Sequence, residues 1–99
     1  MKTLTEAGLN KIANFYLDSL SHALYKLDGV DHEINFINKL VEGNTVKVYI
    51  YFEESYTGSI SDIRIIDKDG EVVAKDPRVY ERSVEKVLYV AFKHEFMEV

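Results

Sequence analysis

Four carboxylates in the second half of the chain are the most conspicuous group that could do chemistry. They are Asp62, Asp67, Asp69 and Glu71. The last three surround Gly70 in a pattern that resembles the opening of an oxygen-rich calcium loop. Such a loop needs a bidentate glutamate eleven residues after its first aspartate, and Arg78 occupies that position. The spacing therefore predicts a hairpin turn around Gly70 and no metal site.

Other residue types that support catalysis are scattered. The histidines His22, His32 and His94 never stand three or four residues apart, the spacing that would place two zinc ligands on one helix face. Glu53 and Glu54 are adjacent and would point to opposite faces of a strand, so they do not form an acid–base pair. The chain also lacks a nucleophile elbow, a phosphate loop and a dinucleotide fingerprint. We predict no catalytic, cofactor-binding or metal-binding residues, and a protein that is not an enzyme.

Tyrosine is the residue type in excess, with seven in 99 residues. Tyr49 and Tyr51 alternate with apolar residues along a predicted strand, and Tyr56 follows in the next predicted loop. Tyrosine is favoured at protein interfaces because it offers a large rigid surface with a polar tip. The pattern predicts an interface at Tyr49, Tyr51 and Tyr56. The alternative is that this face lies under a helix, or that the tyrosines pack only on one another.

A helix must precede the strand that carries these tyrosines. Thr3 and Glu6 have capping-box spacing, which predicts a helix start. Apolar residues then recur at intervals of three and four from Leu9 to Leu27, and Asp28-Gly29 follows as a helix end. These features predict one helix over about residues 4–28, long enough to cross a whole sheet.

Beyond Gly29 the apolar residues alternate with polar ones, which predicts strands. The expected ranges are about 32–41, 45–53, 59–67, 71–75 and 86–97. The last range also fits a helix with Ser83 as its cap, but the run Val87–Phe92 is apolar on both sides and suits a buried central strand better. We expect a single α+β domain over residues 1–99, with one long N-terminal helix packed on an antiparallel sheet of four or five strands. An edge such as Val46–Phe52 could pair with another chain.

Composition excludes several classes of partner. Twelve basic and seventeen acidic residues give a net charge of −5, and no stretch gathers the basic residues that nucleic acid needs. No apolar segment is long enough to span a bilayer, and nothing implies a small-molecule ligand. The absence of cysteine fits a reducing compartment, and the amino terminus lacks the apolar core of a signal peptide. We therefore expect a cytoplasmic protein that acts on another protein or on itself.

Two stretches carry a family resemblance. Residues 4–10 read LTEAGLN, and residues 58–74 read GSISDIRIIDKDGEVVA. They resemble the LTxAGL opening and the IxxIxIxDxxGxxVA run of small phage and prophage tail-region proteins and of the N-terminal modules of some phage tail fibres. The glycine-rich stretch that often follows the first helix of tail-fibre modules is missing here, which favours a stand-alone tail or tail-assembly component.

The resemblance implies a non-enzymatic tail or virion-assembly protein, encoded by a phage or prophage, that acts through protein contacts in the host cytoplasm or within the virion. The alternative from composition is a small acidic binding module of the immunity type that neutralises or regulates a basic protein.

Overall fold

One helix opens the chain, and it is shorter than the sequence predicts. The computed structural model describes residues 2–53, 57–82 and 87–98, and its helix α1 spans Glu6–Ser19. The helix cap is Thr5, whose hydroxyl accepts a hydrogen bond from the amide of Gly8 at 3.1 Å. The expected capping box is therefore wrong: Thr3 donates through its amide and its hydroxyl to the carboxylate of Glu98.

The second half of the expected helix is a strand. Strand β1 runs over Leu20–Leu27 and begins directly at the end of α1. Asp28 and Gly29 have φ angles of 50° and 85°, the left-handed pair that a tight hairpin turn requires, and they connect β1 to the next strand. The prediction of a helix over 4–28 is thus wrong from residue 20 onward. Tertiary pairing decides this segment, because β1 has a strand on each side.

The remaining strands form two antiparallel sheets. They are β2 (Val30–Ile34), β3 (Asn38–Glu42), β4 (Thr45–Phe52), β5 (Gly58–Asp67), β6 (Val72–Asp76), β7 (Tyr80–Arg82) and β8 (Leu88–Glu95). One sheet has the order β2-β1-β5-β6, with β7 also pairing β5, and the other has the order β3-β4-β8. The strand expected over 32–41 is therefore two strands in different sheets. The expected single sheet of four or five strands is also wrong, although the α+β class is confirmed.

The core lies between the two sheets. Val46, Val48, Ile50 and Phe52 on the inner face of β4 are fully buried, as are Ile60, Ile63 and Ile65 of β5. The five-stranded sheet covers one end of β4, where the rings of Tyr25 and Phe52 lie 5.0 Å apart. Helix α1 covers the other end, with Ala13 in the same buried cluster as Val46.

The molecule is long because the five-stranded sheet and α1 lie at opposite ends of β4. Its extents are 49 × 26 × 21 Å. Its radius of gyration is 15.3 Å, compared with about 13 Å for a compact domain of this length. No helix in the described part of the chain is long and apolar enough to cross a membrane.

Strand β8 lies at an edge of the three-stranded sheet, not at its centre. It pairs with β4 from Thr45 opposite Glu95 to Phe52 opposite Leu88 without a register shift. Only one face of β8 is buried, because Val90 and Phe92 point inward while Tyr89, Ala91 and Lys93 are exposed. The prediction of a strand here agrees with the structure, but the prediction of a buried central strand is wrong. Val46–Phe52, expected as a possible edge, lies at the centre of its sheet. Ser83 lies outside the described residues.

Candidate interaction surface

Tyrosines and small apolar residues cover the outer face of the three-stranded sheet. The burial of β4 alternates along its whole length, so its even-numbered side chains enter the core and its odd-numbered side chains face away from α1 and from the other sheet. We call this face the tyrosine surface. It consists of Ile37, Asn38, Leu40, Tyr49, Tyr51, Tyr89 and Ala91.

Two aromatic rings pack on each other at one end of the tyrosine surface. Tyr51 stands opposite Tyr89 in the register, and their ring centroids are 4.7 Å apart with planes inclined by 32°. Such pairs contribute about 0.5–1.5 kcal/mol beyond the area they bury. Tyr89 nevertheless remains 61% exposed. The pair therefore forms an aromatic platform that is open to solvent on the Tyr89 side.

A shallow depression lies beside this platform. Tyr49 stands between two smaller residues, Ala91 on β8 and Asn38 on β3. The difference in side-chain size leaves a depression of about 640 Å³ between Tyr49, Tyr89 and Ile37. Ile37 is 54% exposed, and its amide donates to the Tyr49 carbonyl at 2.9 Å, which fixes it at the rim. A preformed apolar depression with aromatic walls is suited to receive a side chain of a protein partner.

Charged side chains border the tyrosine surface at its other end. Lys47 stands opposite Lys93, and its ammonium group lies 3.0 Å from the Glu42 carboxylate. That hydrogen bond raises the pKa of Lys47. Glu95 lies beyond Lys93, opposite Thr45. The surface thus combines an apolar centre with a polar border, as protein interfaces do.

A buried carboxylate organises the chain between β6 and β7. Asp76 is only 5% exposed, and its oxygens accept hydrogen bonds from the backbone amide and the guanidinium of Arg78 and from the hydroxyl of Tyr80 at 2.7–3.0 Å. Burial on its own raises the pKa of Asp76, but the hydrogen bonds from Arg78 and Tyr80 outweigh it and lower the value to about 2. Burial and the bond to Asp76 raise the pKa of Tyr80 to about 12. The hydrogen bonds from Arg78 and Tyr80 to Asp76 stabilise the turn that follows Pro77.

The four carboxylates that the sequence singled out do not form one cluster. Asp67 accepts hydrogen bonds from the amides of Asp69 and Glu71, and Gly70 has a φ of 83°, so these residues build the predicted turn. Asp62 lies further back on β5, where its carboxylate is 3.4 Å from Arg64.

The three histidines also do not lie together in the structure. The ring of His22 bonds to Ser21, and that of His32 stacks on Tyr25. His94 lies in the other sheet, next to Tyr16. Burial lowers the pKa of His94. In residues 2–53, 57–82 and 87–98, no group of three or more metal-ligating side chains could hold a metal ion.

The sequence predicts only part of the tyrosine surface. Tyr49 and Tyr51 point outward, as the alternation predicted, and the helix does not cover them. Tyr56 lies outside the described residues. The sequence does not identify Tyr89 or Ile37 as interface residues. For Tyr89 the reason is that the run around it is apolar at nearly every position, so no outward face can be recognised. Comparisons with protein-family models, with curated proteins and with solved structures find no match.

Proposed function

We propose that this chain is a non-enzymatic assembly protein of the phage or prophage tail class, and that a protein partner binds it at the tyrosine surface. The observation that carries the proposal is a depression of about 640 Å³ lined by half-buried Tyr49 and exposed Tyr89, with the Tyr89 ring packed on that of Tyr51. Tyrosines held in this way lose little conformational entropy on binding, so they make efficient contact residues.

The alternative of an acidic module that neutralises a basic protein receives less support. Several carboxylates in the acidic second half of the chain are already engaged within the molecule. Asp67 closes the β5–β6 turn, Asp76 binds Arg78, and Asp62 lies beside Arg64. These carboxylates already have partners within the molecule and are less available to a basic protein. This favours the tyrosine surface as the contact site.

Complementation of assembly tests the proposal. The gene is deleted in the source cell, and variants are supplied in trans while completed tail particles are counted. The double variant Tyr49→Ser and Tyr89→Ser is expected to reduce particle yield at least tenfold, because tyrosines at the hot spot of an interface contribute about 2 kcal/mol or more to binding. Phe15→Ser is the control, since Phe15 is also an aromatic side chain and is 77% exposed on the outer side of α1. It is expected to assemble normally.

Two results would contradict the proposal. The first is a normal yield of particles when the gene is deleted, which would remove the assembly role. The second is an equal loss for the tyrosine variant and for Phe15→Ser. Circular dichroism of each purified variant establishes that it folds, so that a loss of particles reports binding.

A further inference from the structure

We propose that the free edge of strand β8 pairs with β8 of a second copy of this chain, about a two-fold axis at Ala91. The inference goes beyond the tyrosine surface, because it concerns backbone groups at the side of the sheet. Among the described residues, no strand pairs with β8 on the side away from β4. A free strand edge with its full set of backbone donors and acceptors is a template for another strand.

The edge of β8 differs from the other sheet edges in the described part of the chain. Strand β8 has eight residues in an unbroken register. The other edge strands are shorter, because β2, β3 and β6 have five residues each and β7 has three. Short edges resist pairing, whereas a long and regular edge favours it. Residues 91–94 line one wall of a cleft of about 310 Å³, and Lys75–Arg78 line the opposite wall.

The hydrogen-bond pattern shows which residues of β8 are available. The amide of Phe96 donates to the carbonyl of Asn44, so this is a hydrogen-bonded pair that continues the β4–β8 ladder. Hydrogen-bonded and non-hydrogen-bonded pairs alternate in an antiparallel ladder. The even-numbered residues of β8 therefore bond to β4, and Tyr89, Ala91, Lys93 and Glu95 direct their backbone groups to the free edge. The close Tyr51–Tyr89 ring contact agrees, because side chains approach most closely at non-hydrogen-bonded pairs.

Side-chain chemistry selects the register of the two copies. With the axis at Ala91, the small side chain of Ala91 faces itself, and Tyr89 faces Lys93 of the second copy on each side of the axis. The dimer would then contain two contacts in which the Lys93 ammonium group of one copy lies beside the Tyr89 ring of the other. An axis at Phe92 places Tyr89 opposite Glu95, and an axis at Lys93 places two like charges together. The Ala91 register supplies about six backbone hydrogen bonds, two in each hydrogen-bonded pair.

The pairing has a consequence for the whole assembly. Two three-stranded sheets become one continuous sheet, and a two-fold axis perpendicular to it leaves both tyrosine surfaces on the same side. The dimer would therefore present two partner sites side by side, which increases avidity for a repetitive partner.

Disulfide trapping tests the register directly, because the natural chain has no cysteine. In a hydrogen-bonded pair the Cα atoms lie about 5.5 Å apart, within the range of a disulfide. Ala91→Cys is therefore expected to form a covalent dimer under mild oxidation. Lys93→Cys is the matched control on the same edge. The two copies of residue 93 would be about 14 Å apart, too far for a disulfide.

Sedimentation provides the second measurement. The natural chain is expected to form a concentration-dependent dimer. Ala91→Pro is expected to weaken that dimer at least tenfold while the fold is retained, because the lost amide points away from β4. A natural chain that stays monomeric, Ala91→Cys that does not cross-link, or Lys93→Cys that cross-links equally well would overturn the proposal. These experiments measure dimerisation of the purified chain, whereas the particle count measures assembly, so a failure of one proposal is distinguishable from a failure of the other.

Discussion

Replacing Asp76 by asparagine is expected to remove about 2 kcal/mol of stability at neutral pH. Asp76 has an ordinary pKa of 3.8, which its partners lower to about 2. Each unit of pKa shift corresponds to about 1.4 kcal/mol, so the ionised form is stabilised in the fold by about 2 kcal/mol. Asparagine keeps the shape of the side chain but loses the charge that Arg78 and Tyr80 bind.

The sign of the pH dependence follows from the direction of the shift. A carboxyl group whose pKa is lower in the folded state stabilises the protein above its unfolded pKa, and this contribution is lost as the pH falls through the folded pKa. Natural protein and Asp76→Asn are therefore expected to differ by about 2 kcal/mol at pH 7 and to converge near pH 2.

Urea denaturation followed by circular dichroism at pH 7, 4 and 2.5 measures this difference. Asp69→Asn is the control, because Asp69 is an exposed carboxylate in the β5–β6 turn. Its effect on the free energy of unfolding is expected to stay within about 0.5 kcal/mol. A constant difference between natural protein and Asp76→Asn at every pH would refute the electrostatic reasoning, as would equal losses for the two variants.

Three further predictions concern stability. Gly58→Ala is expected to cost about 2 kcal/mol in urea denaturation, because Gly58 has a φ of 118° and a methyl group there would lie 2.6 Å from the Asp28 carboxylate. In a double-mutant cycle, Tyr51→Ala and Tyr89→Ala are expected to couple by about 1 kcal/mol through their ring contact. His94→Gln is expected to flatten the pH dependence of stability below about pH 6.5, because burial lowers the pKa of His94 and the folded state of the natural protein resists protonation there.

Each of these predictions has a control. Gly43→Ala also places a side chain at a positive φ, but in open space, so it is expected to cost less than Gly58→Ala. Equal losses would show that the Asp28 contact is unimportant. Additive effects in the tyrosine cycle would show that the rings do not interact. His32→Gln, at an exposed histidine, is the control, and a change in the pH profile equal to that of His94→Gln would contradict the burial argument.

Local sequence signals predicted the hairpins better than the helix. The alternation in Thr45–Phe52 gave both the strand and the outward direction of Tyr49 and Tyr51, because one face of β4 is wholly buried. Residues 20–27 satisfy both a helical and a strand pattern, so periodicity alone could not separate them. The Asp28-Gly29 pair was the available signal, since this dipeptide is typical of hairpin turns as well as helix ends.

The division into two sheets could not be read from local patterns. It depends on which strands pair across long stretches of chain, as β1 does with β5 and β4 does with β8. The same reason explains why Tyr89 was missed. Its outward direction depends on the position of β8 at an edge, and the run around it is apolar at nearly every position.

Site-specific photo-cross-linking in the source cell tests whether a protein partner binds the tyrosine surface. A photoreactive benzoylphenylalanine is placed at Tyr49 in one variant and at Phe15 in another, both exchanges of one aromatic side chain for another. We expect a discrete covalent adduct with a tail or assembly protein at position 49, lost when Tyr89→Ser is added, and no such adduct at position 15. Absence of an adduct at position 49, or the same adducts at both positions, would contradict the assignment of the tyrosine surface as the partner site.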